Sequence, residues 1–260
     1  MRIYAGGPAR IGLVVLVAFS GMLAILLATR PAMMRGNAPQ PDGPVTLMQT
    51  DPMIDRLVGD LKPVRPRKIH ADVLMLVVLF VADLGLFVGL GSIRPGLPDA
   101  MEQPSFWWKL SSTGVIALAG AAVALLSFDP VKSARPGLRW IAGIVAASLL
   151  AGWAIGASPD GWHNLPARLD WRDGLDCVFK VVVLSVPAVI GHGLLMRRGA
   201  PTDLGASALS AGIGSAGWGA FIFVFACPYD DPLYIAVWYF VGCGIATLVA
   251  RLILPWLARW

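Results

Sequence analysis

The stretch IHADVLMLVVLFVADLGLFVGLGSI, residues 69–93, decides the fold class of this chain. Asp72 and Asp83 are the only acidic or basic residues among its 25 positions, apart from one histidine. A helix needs about 20 predominantly apolar residues to cross a bilayer, whereas the strands of membrane β-barrels are about ten residues long and alternate in hydrophobicity. We therefore predict a transmembrane helix here.

Apolar stretches of the same kind recur along the chain, and the composition of the whole chain is also that of a membrane protein. Of the 260 residues, 57% are hydrophobic and 14% are charged, whereas soluble domains carry about 45–50% apolar and about 25% charged residues. This high apolar and low charged content excludes a disordered chain, a collagen-like chain and an ordinary cytosolic enzyme. We predict an all-α, polytopic transmembrane bundle of six helices, plus one candidate for an extra N-terminal helix. The seven apolar segments are residues 11–28, 69–93, 106–128, 140–157, 177–196, 204–226 and 233–254.

Basic residues are distributed unevenly around the last six segments, and this predicts their orientation. If the region before residue 69 is cytoplasmic, 12 Lys or Arg residues fall on the cytoplasmic side and five on the other. Cytoplasmic loops carry the excess of Lys and Arg in membrane proteins, so both ends of the six-helix unit are predicted inside. Sixteen of the 21 basic residues are Arg, which is typical of GC-rich bacterial genomes. The predicted location is a bacterial inner membrane.

Residues 1–47 form a separate N-terminal extension with three interpretations. The apolar segment 11–28 is a seventh helix, or it is a signal peptide preceded by Arg2 and Arg10. In the third interpretation, translation starts at Met48 and the extension is not made. A cleaved signal would place the basic residues before position 69 outside, against the positive-inside rule.

Residues 48–68, from Met48 to Lys68, contain the one soluble segment with a helical pattern. Thr50 or Asp51 can cap a helix, Pro52 fits its first turn, and Pro63 ends it. A helix of about 11 residues is marginal alone in water. It therefore packs on the protein's own loops, lies on the lipid surface, or enters a groove of a partner. Its single apolar stripe consists of Met53, Ile54, Leu57, Val58 and Leu61.

Three phrases of this sequence resemble the NrsF family of membrane-embedded anti-sigma factors, over the region from Met48 to Trp260. They are DRLVGDLKPVRP at residues 55–66, MRRGAP at residues 196–201 and ACPYDDPLYIAVWY at residues 226–239. The resemblance implies that the cytoplasmic segment 48–68 holds an extracytoplasmic-function (ECF) sigma factor. It also implies that Cys177 and Cys227 are the family's two characteristic cysteines, associated with sensing an envelope, redox or metal stress that releases the sigma factor.

The positions of the two cysteines are compatible with that role and with simpler ones. Cys177 and Cys227 fall at the same predicted outer depth of two consecutive antiparallel helices, so the topology allows them to meet. Lys180 shares a helical face with Cys177 and favours a thiolate, whereas neighbouring aspartates oppose it. The alternatives are two isolated cysteines that pack as small hydrophobes, or a metal site with Asp230 or His163, which no ligand spacing supports.

Other polar residues within the predicted membrane region point to packing or to transport. Asp72 is expected near the inner interface, where it can be solvated. Asp83 lies near mid-depth, where an ionisable residue suggests a functional site, and this supports the alternative function of a small-solute transporter or channel. Lys109 lies near an outer helix end and is expected to snorkel. The small residues of segment 204–226 predict close helix packing.

The chain carries no common catalytic signature, and we predict that it is not an enzyme. It has no H-E-x-x-H, P-loop, G-x-S-x-G or C-x-x-C motif, so we also expect no cofactor and no metal. The basic strap at residues 62–68 meets lipid headgroups, so direct binding of nucleic acid is not expected. The predicted partners are an ECF sigma factor and the lipid bilayer.

Overall fold

The computed structural model describes residues 68–156 and 168–258, and these parts of the chain are helical without any strand. Six of their helices are long and apolar enough to cross a membrane. The predicted all-α bundle of six helices is therefore confirmed. The candidate extra helix at residues 11–28 and the segment 48–67 lie outside the described residues. The helices are α1 (Ile69–Gly89), α2 (Leu97–Ala100), α3 (Pro104–Ser127), α4 (Arg135–Gly156), α5 (Trp171–Arg198), α6 (Leu204–Phe223) and α7 (Pro232–Leu257).

Some helices begin or end at different residues from the predicted apolar segments, because polar residues or glycine extend or stop the helix there. Helix α5 begins at Trp171, six residues before the predicted start, because the Asp170 side chain accepts a hydrogen bond from the backbone N–H of Arg172 and caps the helix. Helix α1 ends at Gly89, and the chain turns at Gly91, whose φ of +69° is a conformation that favours glycine. Hydropathy shows how apolar a segment is, and it does not register the polar caps and glycine turns that set the helix ends.

Helix α6 lies at the centre of the bundle and packs against α3, α5 and α7. Its contact with α3 is between backbones: a Cβ atom added at Gly214 would lie 2.6 Å from the nitrogen of Ala121, and one added at Gly120 would lie 2.4 Å from the nitrogen of Gly214. Only glycine permits this approach. The prediction that the small residues of this segment serve close packing is confirmed.

Helices α1 and α4 lie at the edge of the bundle. Helix α1 packs mainly on α5, through one stripe that includes Leu76, Phe80 and Leu84. Its other face is exposed, with Leu74, Val78, Val81 and Leu86 each more than half exposed. In a bilayer that face meets lipid, so α1 has fewer protein contacts than the central helices.

The described loops cluster at two opposite ends of the bundle. We call one the Cys227 end; it contains residues 90–103 and 224–231 and the start of α5. The other, the Lys68 end, contains Lys68 and residues 128–134 and 199–203. At the Lys68 end, the Ala200 N–H donates to the Phe128 carbonyl over 3.1 Å. At the Cys227 end, the Arg94 N–H donates to the Phe225 carbonyl over 3.1 Å.

Candidate functional site

The structure brings Cys177 and Cys227 together at the Cys227 end of the bundle. Cys177 lies in the second turn of α5, and Cys227 lies four residues beyond the end of α6. Both are buried, with 3% and 0% of their surface exposed, and both are free thiols. The sulfur of Cys177 lies 3.5 Å from the Tyr234 hydroxyl. The side chains of the two cysteines are close enough to interact with each other.

The loop that carries Cys227 is held by two cations from other parts of the chain. Arg94, between α1 and α2, donates to the Cys227 carbonyl over 2.6 Å and forms an ion pair with Asp230 over 2.9 Å. Lys109 of α3 donates to the Tyr229 carbonyl over 3.0 Å and to Asp230 over 3.3 Å. Two separate segments, the loop after α1 and helix α3, therefore converge on residues 227–230.

Lys109 corrects an expectation from the sequence. We expected its side chain to snorkel to the membrane surface, but it is fully buried, with 0% of its surface exposed. Burial of an ammonium group is costly unless it is paired, and here Asp230 and the Tyr229 carbonyl supply the partners. The sequence signal was a lone lysine among apolar residues, together with the acidic pair Asp230 and Asp231, whose proximity only the tertiary structure reveals.

Two further polar contacts hold the solvent side of the same loop. Arg168 donates two hydrogen bonds of 2.6 Å to the carboxylate of Asp231. Burial alone would raise the pKa of Asp231, but the hydrogen bonds from Arg168 and from the Leu233 N–H hold it below its ordinary value. The Tyr229 hydroxyl donates to Asp173, and this bond raises the pKa of Tyr229 to about 12. The loop is thus held on both its buried and its exposed sides.

The environment of Cys227 favours its thiolate. The interaction with Cys177 and the charge of Lys109 lower the pKa of the Cys227 thiol to about 6, although burial opposes them. Lys180, which the sequence suggested as a nearby cation, instead forms an ion pair with Asp176 and is half exposed. The lysine that acts on Cys227 is therefore Lys109 of α3.

The interior aspartates of α1 have positions that the sequence did not specify. Asp83 accepts a hydrogen bond of 3.1 Å from the indole N–H of Trp218, and Trp218 stacks on Phe80 with ring centroids 4.3 Å apart. Asp83 therefore links α1 to α6, which is a packing contact. Asp72, which we expected to be solvated, is buried, with 6% of its surface exposed.

The remaining predicted residues lie elsewhere or outside the described parts of the chain. Met53, Ile54, Leu57, Val58 and Leu61 fall outside them, as does His163. Within residues 68–156 and 168–258, no group of three or more His, Cys, Asp or Glu side chains is placed to hold a metal ion. Cys243 lies apart from the pair, with its sulfur 3.6 Å from the Ala216 carbonyl of α6.

Comparisons with known proteins agree on one family. Residues 57–260 match the family NrsF, described as "Negative regulator of sigma F". The chain is also similar to the anti-sigma-F factor NrsF of Caulobacter vibrioides (strain NA1000 / CB15N). The two are 34% identical over 224 residues, which cover 82% of this chain and 100% of the relative. No solved structure matches the chain at a significant level.

Proposed function

Since the chain belongs to the NrsF family of negative regulators of sigma F, we propose that it is an inner-membrane anti-sigma factor that holds an ECF sigma factor and releases it under stress. The hold is made by the cytoplasmic segment 48–68. The signal, an envelope, redox or metal stress, acts at Cys177 and Cys227 on the outer side of the membrane. Both ends of the six-helix unit are then cytoplasmic.

The apolar stripe of the N-terminal segment supports the proposed hold on the sigma factor. Five apolar residues at helical spacing present one face, which is the pattern of helices that bind in a partner's groove. A negative regulator of a sigma factor requires a surface on the cytoplasmic side, and this segment precedes α1 directly. Its residues Met53, Ile54, Leu57, Val58 and Leu61 are the proposed binding residues.

The observation that carries the proposal is that α1 connects the segment to the cysteine loop. The segment 48–68 leads into the first residue of α1 at the Lys68 end. At the other end of α1, Arg94 binds the Cys227 carbonyl, the Asp230 carboxylate and the Phe225 carbonyl. A change at the cysteine loop therefore acts directly on the connection that follows α1.

The edge position of α1 makes it a suitable element to transmit this change. Its exposed face meets lipid, so a shift or rotation of α1 alters few contacts with the rest of the protein. In the resting conformation the segment holds the sigma factor. Modification of the cysteines stabilises a second conformation in which Arg94 and α1 are displaced, and the signal must favour that conformation for release to occur.

The binding half of the proposal is tested by co-purification from detergent-solubilised membranes of the strain of origin. The variant Leu57→Asp with Leu61→Asp places two charges on the apolar stripe and is expected to lose the sigma factor while inserting normally. The matched control replaces Asp55 and Asp60, on the polar side of the same segment, with Ala and should retain it. Unchanged recovery of the sigma factor with the stripe variant would contradict the proposed binding segment.

The sensing half is tested with the same co-purification after cells are treated with an oxidant or a thiophilic metal. Wild-type protein is expected to lose its sigma factor on treatment. The variants Cys177→Ser and Cys227→Ser should no longer respond, whereas Cys243→Ser, which alters the thiol outside the pair, should respond normally. A normal response in all three variants would exclude the cysteine pair as the sensor.

A further inference from the structure

We propose that the cavity between α4 and the rest of the bundle binds an acyl chain of an anionic phospholipid, whose phosphate headgroup lies on Arg251. The cavity has a volume of about 630 Å³, which is within the range of pockets that hold small ligands. Its walls are formed by residues of α3, α4, α6 and α7. Neither Cys177 nor Cys227 lines it, so this site is separate from the cysteine pair.

The cavity forms because α4 rests on α3 at both ends of the lining stretch and stands apart from the bundle between these contacts. A Cβ atom added at Gly137 would lie 2.5 Å from a methyl carbon of Val123. One added at Gly152 would lie 2.3 Å from the ring of Trp108, whose indole N–H also donates to the backbone of α4 over 3.2 Å. Residues 138–149 of α4, which line the cavity, lie between these two close contacts.

The walls of the cavity suit a hydrocarbon chain. Apolar side chains make up most of the lining, and the hydroxyls of Ser112 and Thr113 donate to a carbonyl of their own helix. The Tyr239 hydroxyl lies beside Cys227, which is outside the lining. At Gly244 of α7 an added Cβ atom would meet no atom within 4 Å. A polar molecule would lose its hydration along these walls and gain few hydrogen bonds.

Positive charge lies at one end of the cavity. Arg251, near the Lys68 end of α7, is the one charged residue among the described residues of the lining. It is exposed, and the ion pairs of the described residues do not include it. Helices α3, α4, α6 and α7 contain no Asp or Glu. An arginine binds phosphate through paired N–H donors, and basic pockets between membrane helices bind anionic headgroups.

The length of the cavity matches a lipid chain from one leaflet. The lining stretch 138–149 of α4 extends about 16 Å at a rise of 1.5 Å per residue. A chain from one leaflet crosses half of the hydrocarbon core, which is about 15 Å. With the phosphate on Arg251, the chain runs along α4 toward Trp108. The lipid therefore belongs to the leaflet at the Lys68 end, which is the predicted cytoplasmic side.

The test uses the full chain, purified in detergent and freed of lipid, with native mass spectrometry to count bound molecules. The probes are phosphatidylglycerol and phosphatidylcholine with identical acyl chains, and a neutral long-chain quinone. We expect one tightly bound phosphatidylglycerol per chain. Its affinity should exceed that of phosphatidylcholine about tenfold, because the net negative headgroup keeps its full attraction to the arginine.

Variants of the arginine test the headgroup contact. Arg251→Gln should weaken the binding of phosphatidylglycerol about tenfold and leave that of phosphatidylcholine nearly unchanged, whereas Arg251→Lys keeps the charge and should retain most of the preference. The matched control is Arg197→Gln, since Arg197 is an exposed arginine of α5, a helix that contributes no residue to the lining. It should change the affinity for neither lipid.

Variants that fill the cavity test the position of the chain. Gly244→Phe places a ring in the open space and should weaken phosphatidylglycerol about tenfold, by excluding the chain from its apolar contacts. Gly143→Phe is the matched control, because an added Cβ atom there also meets no atom within 4 Å, but Gly143 does not line the cavity. If Gly244→Phe does not fold, Ala146→Phe fills the same cavity from α4.

Equal affinities for the two phospholipids, or unchanged binding of phosphatidylglycerol by Arg251→Gln, would overturn the assignment of an anionic lipid. So would tighter binding of the quinone than of phosphatidylglycerol. Unchanged binding by both Gly244→Phe and Ala146→Phe would place the lipid outside the cavity and overturn the site. These readouts need neither a sigma factor nor a cysteine, so their outcome is independent of the proposed function.

Discussion

Single residues decide how closely the central helices approach one another. Gly120 on α3 and Gly214 on α6 face each other, so that the backbone of each helix occupies the place where a side chain would stand on the other. In hydrocarbon, helices associate through such close packing rather than through the exclusion of water. Even one methyl group at this contact forces the two helices apart.

The expected cost of that methyl group is measurable. Gly214→Ala should lower the free energy of unfolding by about 1–3 kcal/mol, the usual cost of overpacking, and should lower the thermal unfolding midpoint in detergent. Gly143→Ala is the matched control, because Gly143 of α4 has no atom within 4 Å of an added Cβ. A variant at Gly214 as stable as the one at Gly143 would contradict the packing described for α3 and α6.

Whole elements begin at defined residues because aspartates cap them. The side chains of Asp170, Asp203 and Asp231 accept hydrogen bonds from the backbone at the starts of α5, α6 and α7. At Asp203, the Ala206 N–H and then Arg135 hold the pKa of the carboxyl below its ordinary value. The central helix thus starts from a charged cap at the Lys68 end.

Replacement of that cap tests its contribution. Asp203→Ala should cost about 1 kcal/mol of stability at pH 7, whereas Asp203→Asn keeps a side-chain acceptor and should cost less. Because the pKa of Asp203 is lowered by folding, its contribution is present above the ordinary carboxyl pKa of about 3.9 and is lost as the pH falls through the folded value. Wild-type protein should therefore lose its advantage over Asp203→Asn below about pH 4.

The measurement is thermal unfolding in detergent across this pH range. Asp99→Ala is the control, since Asp99 is an exposed residue that caps no helix, and it should change stability by less than about 0.5 kcal/mol. Equal stabilities of Asp203→Ala and Asp99→Ala would show that the cap contributes nothing to α6.

At the scale of the whole molecule, the two ends of the bundle have different tasks in the proposed function. The Cys227 end carries the buried cysteine pair and its loop, and the Lys68 end receives the N-terminal segment. The uneven distribution of Lys and Arg predicts that the Lys68 end is cytoplasmic. The proposal for sigma binding depends on this orientation.

Labelling of single cysteines in intact cells tests the orientation. In a background with Cys177, Cys227 and Cys243 replaced by Ser, Asp99→Cys at the Cys227 end should react with a membrane-impermeant maleimide. Val131→Cys at the Lys68 end, where Val131 is 89% exposed, should react only after the cells are permeabilised. The reverse pattern would place segment 48–68 outside the cell and would contradict the anti-sigma mechanism.

Part of the candidate site was predictable because it depends on the order of the segments. Cys177 and Cys227 flank two consecutive helices, so antiparallel packing alone brings them to one end. Arg94 and Lys109 were not predictable as parts of the site, because they lie 133 and 120 positions from their carbonyl acceptors in the cysteine loop. Nothing local to a lysine in an apolar helix distinguishes one that snorkels from one that binds a partly buried aspartate.

The sequence by itself determined the class of this protein, since the number and length of its apolar segments leave only a six-helix membrane bundle for residues 69–260. It also carried the phrases that identify the NrsF family. Hydropathy is a property of each residue, so it can be read along the chain. Tertiary structure alone decided which helix is central, that α1 lies at the edge, and that two cations meet around Cys227, because these depend on the distances between segments that packing brings together.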